Sequence, residues 1–365
     1  MHLEWLELRD FRNHRHTELR DVPDGLIVVM GPNGEGKTNL LEGMFFLYAL
    51  RSPRASSNAP LVRDEAEAAY ARGEFDGLDG RALVEVEIPR KGASRVKLNR
   101  SPVRRKRDLR RQIRSVLFGP FDLPVVIGDP SKRREFMDEA VVALWPLKDG
   151  LSSAFDRALR QRNRLLKEWE GRGAPSEMDA WDEELIRTGA PLIEARDEAA
   201  RRLAPGASDE FEALAGYGLV VEYAPNVVAG GSTSTDEAFR EQLAARRSDE
   251  LVRRTSLVGP HRDDLGLAVR DLGARAFGSH GETWAAALCL RLGLAAAVAN
   301  EIAVPPLLLV DDPFSALDPH RRNRIAERLA TRGGQVVISV ADEADVPSAS
   351  SAVWRVESGS VAVRG

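Results

Sequence analysis

Gly31-Pro32-Asn33-Gly34-Glu35-Gly36-Lys37-Thr38 sets three glycines, a lysine and a hydroxyl at the spacing GxxxxGK[ST]. Glycines let successive backbone N–H groups close around phosphate oxygens. Lys37 is long enough to reach the β and γ phosphates, and Thr38 offers a hydroxyl to Mg²⁺. The chemistry is nucleotide phosphate binding, with Asn33, Gly34, Gly36, Lys37, Thr38 and the adjoining Asn39 as expected ATP contacts. Hydrolysis needs carboxylates as well, one to hold Mg²⁺ and one to aim water. Pro306-Leu307-Leu308-Leu309-Val310-Asp311-Asp312 supplies them at the end of an apolar run. Asp311 is the expected Mg²⁺ partner beside Thr38, and Asp312 stands where a water-orienting group belongs. Lys37, Asp311 and Asp312 are thus the expected catalytic residues.

Particular elements must stand behind these side chains. Leu26 to Met30 is all apolar, as a parallel strand buried on both faces requires. Asn39 to Tyr48 is apolar at helical spacing, so the loop opens a helix whose N-terminus favours an anion. Between Lys37 and Asp311 lie 273 residues, whereas a small kinase or GTPase would place the two motifs closer. The spacing predicts an α/β head built from both chain ends, residues 1–131 and 255–365, with an insertion at 132–254. In the insertion, Leu151, Phe155, Ala158, Leu159, Arg162, Leu165, Leu166 and Trp169 share a helical face. A second run through Trp181, Leu185, Ile186, Leu192 and Ile193 follows, with Pro191 expected to kink or interrupt it. Two helices of about 20 residues, roughly 30 Å each, make a stubby hairpin. Ala229 to Ser234 reads as a flexible linker, Gln335 to Val340 as a core strand, and Ala352 to Val363 as a closing hairpin turning at Ser358-Gly359.

With 365 residues, 43% hydrophobic and 30% charged, the chain is neither disordered nor collagenous nor a coiled coil alone. Its single cysteine, Cys289, excludes an internal disulfide and a cysteine zinc site. No secretory signal opens it, and no run of about 18 uninterrupted apolar residues crosses a bilayer, so a cytoplasmic protein with no membrane partner is expected. The net charge of −4 conceals a segment, Arg90 to Arg114, with twelve arginines and lysines and one acid, Asp108. Phosphate neutralisation by such a segment is the sequence-independent part of duplex binding. Arg104, Arg105, Lys106, Arg107, Arg110 and Arg111 are the expected DNA contacts, with Arg133, Arg134, Arg160 and Arg162 in second rank. Only seven of the 52 basic residues are lysines, which fits a coding bias toward arginine. His261 in Gly259-Pro260-His261-Arg262-Asp263-Asp264 reads as part of a structural turn where the head resumes.

Ser279-His280-Gly281-Glu282 precedes an apolar helix and resembles the signature of ABC-type ATPases; Ser315-Ala316-Leu317-Asp318 resembles their D-loop. More specific are Leu8-Arg9-Asp10-Phe11-Arg12-Asn13, Leu50-Arg51-Ser52-Pro53-Arg54, Pro120-Phe121-Asp122-Leu123 with Gly128 to Asp138, Leu159 to Leu166, and Gly259 to Leu265. In this order and across nearly the whole chain, they resemble the RecF family of recombination mediator ATPases, related to SMC heads. The resemblance implies an ABC-type P-loop ATPase head with an inserted helical hairpin. It implies an ATP-dependent homodimer in which Ser279 and Gly281 touch the nucleotide of the opposite subunit, and it adds Arg12 to the ATP contacts. It further implies slow ATP hydrolysis as a switch, binding of double-stranded and gapped DNA, and work with RecR and RecO in loading RecA during gap repair and the SOS response. Glu282, Trp284, Phe121 and Ala316 depart from the family pattern. The other reading is an ABC-type ATPase subunit driving transport or nuclease-linked DNA processing; the lack of a histidine after Val340 counts against transport.

Overall fold

A computed structural model describes residues 1–171, 173–231, 233–269, 272–273 and 280–364. The chain divides into two units, Met1–Leu123 with Gly206–Leu219 and Phe277–Gly365, and Pro124–Pro205 with Val220–Ala276.

The first unit holds two sheets. In one, β1 (His2–Phe11), β2 (His14–Leu19), β4 (Ala68–Gly77), β5 (Gly80–Pro89), β6 (Arg95–Leu98) and β7 (Ser101–Pro102) lie in the order β2-β1-β4-β5-β6-β7, every pairing antiparallel. These strands alternate buried and exposed residues, as a sheet with one solvated face requires. The other sheet contains β3 (Leu26–Met30), β8 (Ser115–Phe118), β12 (Leu307–Val310), β13 (Val336–Val340), β14 (Ala352–Glu357) and β15 (Ser360–Arg364), ordered β15-β14-β3-β13-β12-β8. Only β15 runs antiparallel, and β3, β8, β12 and β13 are buried on both faces. Helix α1 (Lys37–Ala49) packs into the core with Leu3, Leu6, Leu8 and Phe11 of β1 and Ile27 and Val29 of β3, which is why it is apolar almost all round. The buried Gln335 amide bonds Leu3 N, Leu3 O and Pro23 O, a polar tie between the ends of both sheets.

Also in the first unit are α2 (Lys106–Gln112), α8 (His280–Ile302) and α9 (Pro319–Thr331). By length and composition α8 could cross a membrane, yet 72% of its most apolar window is buried inside the protein, as in a core helix.

The second unit comprises α3 (Leu123–Ile127), α4 (Pro130–Leu144), α5 (Leu151–Glu168), most of α6 (Met178–Ala215), α7 (Thr235–Arg253) and the small sheet β11-β10-β9, with β9 Leu219–Ala224, β10 Asp264–Val269 and β11 Leu272–Gly273. Phe155, Leu185, Ile186, Leu192, Phe239, Leu243 and Val258 form its core.

Two expectations change. The hairpin is unequal, because α6 continues for 38 residues, about 57 Å, through both Pro191 and Pro205. Ala190, Leu192, Ile193 and Ala195 around the first proline are all buried, and that packing outweighs a local cost of about 3 kcal/mol. The boundaries also differ from 131/132 and 254/255. Arg133 of α4 grips Asp264 of β10 with two hydrogen bonds, so the segment after 254 stays with the helical unit until 276. Residues 206–219 belong instead to the first unit, where a Cβ on Gly206 would lie 3.3 Å from Gly293 Cα of α8.

Candidate nucleotide site

The parallel register gathers the site at one edge of the sheet. Met30 of β3 pairs with Val340 of β13, and Ile338 of β13 pairs with Val310 of β12, so the loop after β3 and the carboxylates after β12 emerge at the same edge on either side of β13, at the carboxyl ends where open α/β sheets place ligands. Thr38 Oγ1 donates to Asp311, 2.8 Å from one oxygen and 3.0 Å from the other. Ser339 Oγ donates to Asp311 Oδ1 at 2.7 Å and accepts the Asp312 amide at 2.9 Å. Asp311 is thereby buried and fixed, while Asp312 sits at φ 53° with its carboxyl partly exposed. Burial pushes the Asp312 carboxyl up; Asp311 beside it adds to the rise and a Ser315 hydrogen bond opposes it.

Lys37 curls onto its own loop, donating to Gly31 O at 2.6 Å and Pro32 O at 2.9 Å, with Asn33 Oδ1 at 3.5 Å. Burial lowers its pKa, against the pull of Asp311, Asp312 and Glu35. Gly36, at φ 119°, closes the loop as N-cap of α1. A hydroxyl and a carboxylate form the hard oxygen donor set that Mg²⁺ prefers. Among the described residues no three His, Cys, Asp or Glu side chains gather as a metal cage, so Thr38 and Asp311 alone would offer such an ion an incomplete set of ligands.

Sequence reasoning missed Glu42, the hub beside the loop. It is 1% exposed in the middle of α1. Arg12 grips it with Nε at 2.9 Å and Nη2 at 2.8 Å, and Ser52 and Arg54 bond it too. Burial would raise this carboxyl, but the hydrogen bonds from Arg12, Ser52 and Arg54 outweigh it and hold the group below its usual range. Arg12 is therefore tied to Glu42 and to Pro60 O. Asn39 bonds Asn13 and accepts from Arg54. The signal available in sequence was a lone acid within an apolar helix.

Of the signature, Gly281 lies in the first turn of α8, and Ser279 lies outside the described residues. Tyr217 donates to Glu282, and Trp284 packs edge-on against Phe118 with ring centroids 5.3 Å apart. Both departures from the family pattern thus have structural partners within the first unit. Phe121 packs against the core of that unit.

The basic segment is smaller than its sequence. Arg104, Arg105, Lys106 and Arg111 are exposed and Arg107 partly so. Arg110 differs from the others: it is 6% exposed and donates to Ala49 O at 2.8 Å, at the carboxyl end of α1, which leaves little of its guanidinium on the surface. In the second rank, Arg133 and Arg162 are buried in ion pairs, Arg134 donates to Asp263 O, and Arg160 is exposed. His261 stacks on Phe155 at 5.9 Å, and burial brings its pKa down to about 4, as a structural residue allows.

A family model described as RecF/RecN/SMC N terminal domain matches residues 2–360. The chain is 42% identical to the DNA replication and repair protein RecF of Frankia alni, with 95% of each chain covered, and 42% identical to that of Streptomyces avermitilis, again with 95% of each covered. Among solved structures, the recombination mediator protein RecF-ATP in the RecFOR pathway superposes with a TM-score of 0.88 at 26% identity, over 100% of this chain and 97% of that one. An Smc head domain from Pyrococcus furiosus, 14% identical, shares the fold with a TM-score of 0.56 over 100% of this chain and 96% of that one. With its P-loop joined to the carboxylate strand through Thr38 and Asp311 in an ABC-type ATPase head, the chain belongs to the RecF family of DNA replication and repair proteins.

Proposed function

We propose that this chain is an ATP-switched DNA-binding protein that acts as a recombination mediator in DNA replication and repair. The observation that carries the reading is the convergence of Thr38 and Asp311 in a chain so close to the RecF proteins. In the bound state Lys37 exchanges its loop carbonyls for phosphate oxygens, and Thr38 and Asp311 would hold Mg²⁺, which would supply positive charge against the phosphates. Asp312 accepts a proton from the attacking water. Ser279 and Gly281 complete the site of a second copy in an ATP-dependent homodimer. Arg104, Arg105, Lys106, Arg107 and Arg111 meet the phosphates of double-stranded or gapped DNA, and RecO, RecR and RecA are the partners that follow from the family.

Two outcomes test this. Lys37→Met weakens binding of a fluorescent ATP analogue by roughly 100-fold, the size of a charge-assisted hydrogen bond of about 2–3 kcal/mol. Glutamate at 104, 105, 107 and 111 weakens duplex binding measured by anisotropy, strongly at low salt, and flattens the salt dependence by about one unit for each phosphate that is no longer neutralised. Nucleotide affinity stays unchanged in that protein. DNA binding that is equal with ATP, ADP and no nucleotide removes the switch.

A further inference from the structure

The phosphate loop leans on two turns far from it in sequence. Glu35 O accepts Asn13 Nδ2 and the Gly359 amide, each at 2.9 Å, and the Glu35 carboxylate accepts the Ser358 amide. One residue further along, Gly36 O lies 3.0 Å from His14 Nε2; since a carbonyl only accepts, the imidazole carries its proton there. The Thr17 hydroxyl lies between His14 Nδ1, at 2.9 Å, and Gly359 O, at 3.2 Å. The loop, the β1–β2 turn and the β14–β15 turn thus form one bonded cluster.

Space in that cluster is tight. A Cβ on Gly359 would lie 2.2 Å from Asn13 O and 2.9 Å from Asn13 C, both backbone atoms that cannot swing aside. Gly359 also sits at φ 73°, where a side chain is strained. Ser358, by contrast, is exposed and contributes its amide, at φ 48°. Glu35 is the loop's only acid, and a carboxylate free to move there would both repel phosphate and compete for Lys37.

We propose that the Ser358-Gly359 turn is a positioning element for nucleotide binding: its two amides hold Glu35 so that the loop keeps its phosphate-cradling shape and its one acidic side chain is kept in place. The proposal rests on the nucleotide-binding reading and extends it to a turn more than 320 residues away.

The test measures affinity for a fluorescent ATP analogue in the absence of Mg²⁺, with thermal melting of each protein alongside. Gly359→Ala is expected to weaken binding about tenfold, and Ser360→Ala, at an exposed position of β15 beyond the turn, to leave it unchanged. Gly359→Asn keeps the collision with Asn13 but tolerates a positive φ, so it should lose the same affinity with a smaller drop in melting temperature. The effects of Gly359→Ala and Glu35→Gln should not add: with glutamine at 35 the Gly359→Ala change should cost less affinity than with glutamate there, a coupling that general destabilisation does not produce. Binding by the Gly359 variants within twofold of the unaltered protein overturns the proposal alone, and so does a loss that is the same whichever residue stands at 35. Failure of the unaltered protein to bind overturns the nucleotide reading and the proposal with it.

Discussion

Asp312→Asn lowers the turnover of ATP hydrolysis by roughly 10²- to 10⁴-fold and leaves nucleotide affinity within a few-fold of normal. The asparagine is isosteric and keeps the amide bonded by Ser339, so what is lost is the ability to take a proton from water. Burial, with Asp311 beside it, sets the Asp312 carboxyl above its ordinary value, closer to neutrality and so better matched to a base. The sign follows from the base being active only when ionised. Turnover falls as pH drops through the raised value, so the acid limb of the rate profile lies above the range of a free aspartate. Phosphate release measured from about pH 4 to 8, with binding measured separately, checks both points. An asparagine protein that retains half its turnover would assign the base elsewhere.

Arg162→Ala costs the helical unit about 3–5 kcal/mol, seen as an early unfolding transition in urea. The guanidinium is wholly buried. It donates to Asp182 Oδ1 at 2.7 Å, Glu250 Oε2 at 2.6 Å and Ser256 Oγ at 2.7 Å, joining α5, α6 and α7 at one point. Arg247 supplies a second positive charge to Asp182 at 2.6 Å and also pairs with the exposed Asp179 at 2.7 Å, so the two buried carboxylates, Asp182 and Glu250, depend on two cations of which one is shared. Removing Arg162 leaves Glu250, which has no exposure at all, without its balancing charge. Replacing Arg162, Asp182 and Glu250 together with apolar residues of similar volume should recover much of the loss, because most of the cost belongs to the stranded charge.

The phosphate loop, the carboxylate strand and the closing hairpin were readable because each is written in consecutive residues whose backbone demands are local. Ser358-Gly359 has positive φ at both positions, as a two-residue hairpin turn needs. What sequence concealed were fates decided by distant partners. Arg110 and Arg111 are the same residue side by side, but one faces the end of α1 and is buried while the other is exposed. Glu42 draws its partners from positions 12, 52 and 54, and no local pattern announces them. Pro191 obeys the rule that proline opposes helix, and burial of its neighbours overrides it. At Ser234 the signal is local: Ser234 and Glu237 form a capping box that starts α7 at Thr235, directly after the run whose composition reads as a flexible linker.

The strand order of the parallel sheet has a consequence for synthesis. β3 is complete at residue 30, and both strands that flank it, β13 and β14, begin after residue 335. At 5–20 residues per second, roughly 15 to 60 s pass between the emergence of β3 and that of its first neighbour from the ribosome. Throughout that interval Leu-Ile-Val-Val-Met has no partner on either edge, which makes it a target for chaperones and for aggregation. The segments of the helical unit, all made before residue 277, emerge meanwhile. Slow codons or a missing chaperone should therefore harm the nucleotide-binding unit first.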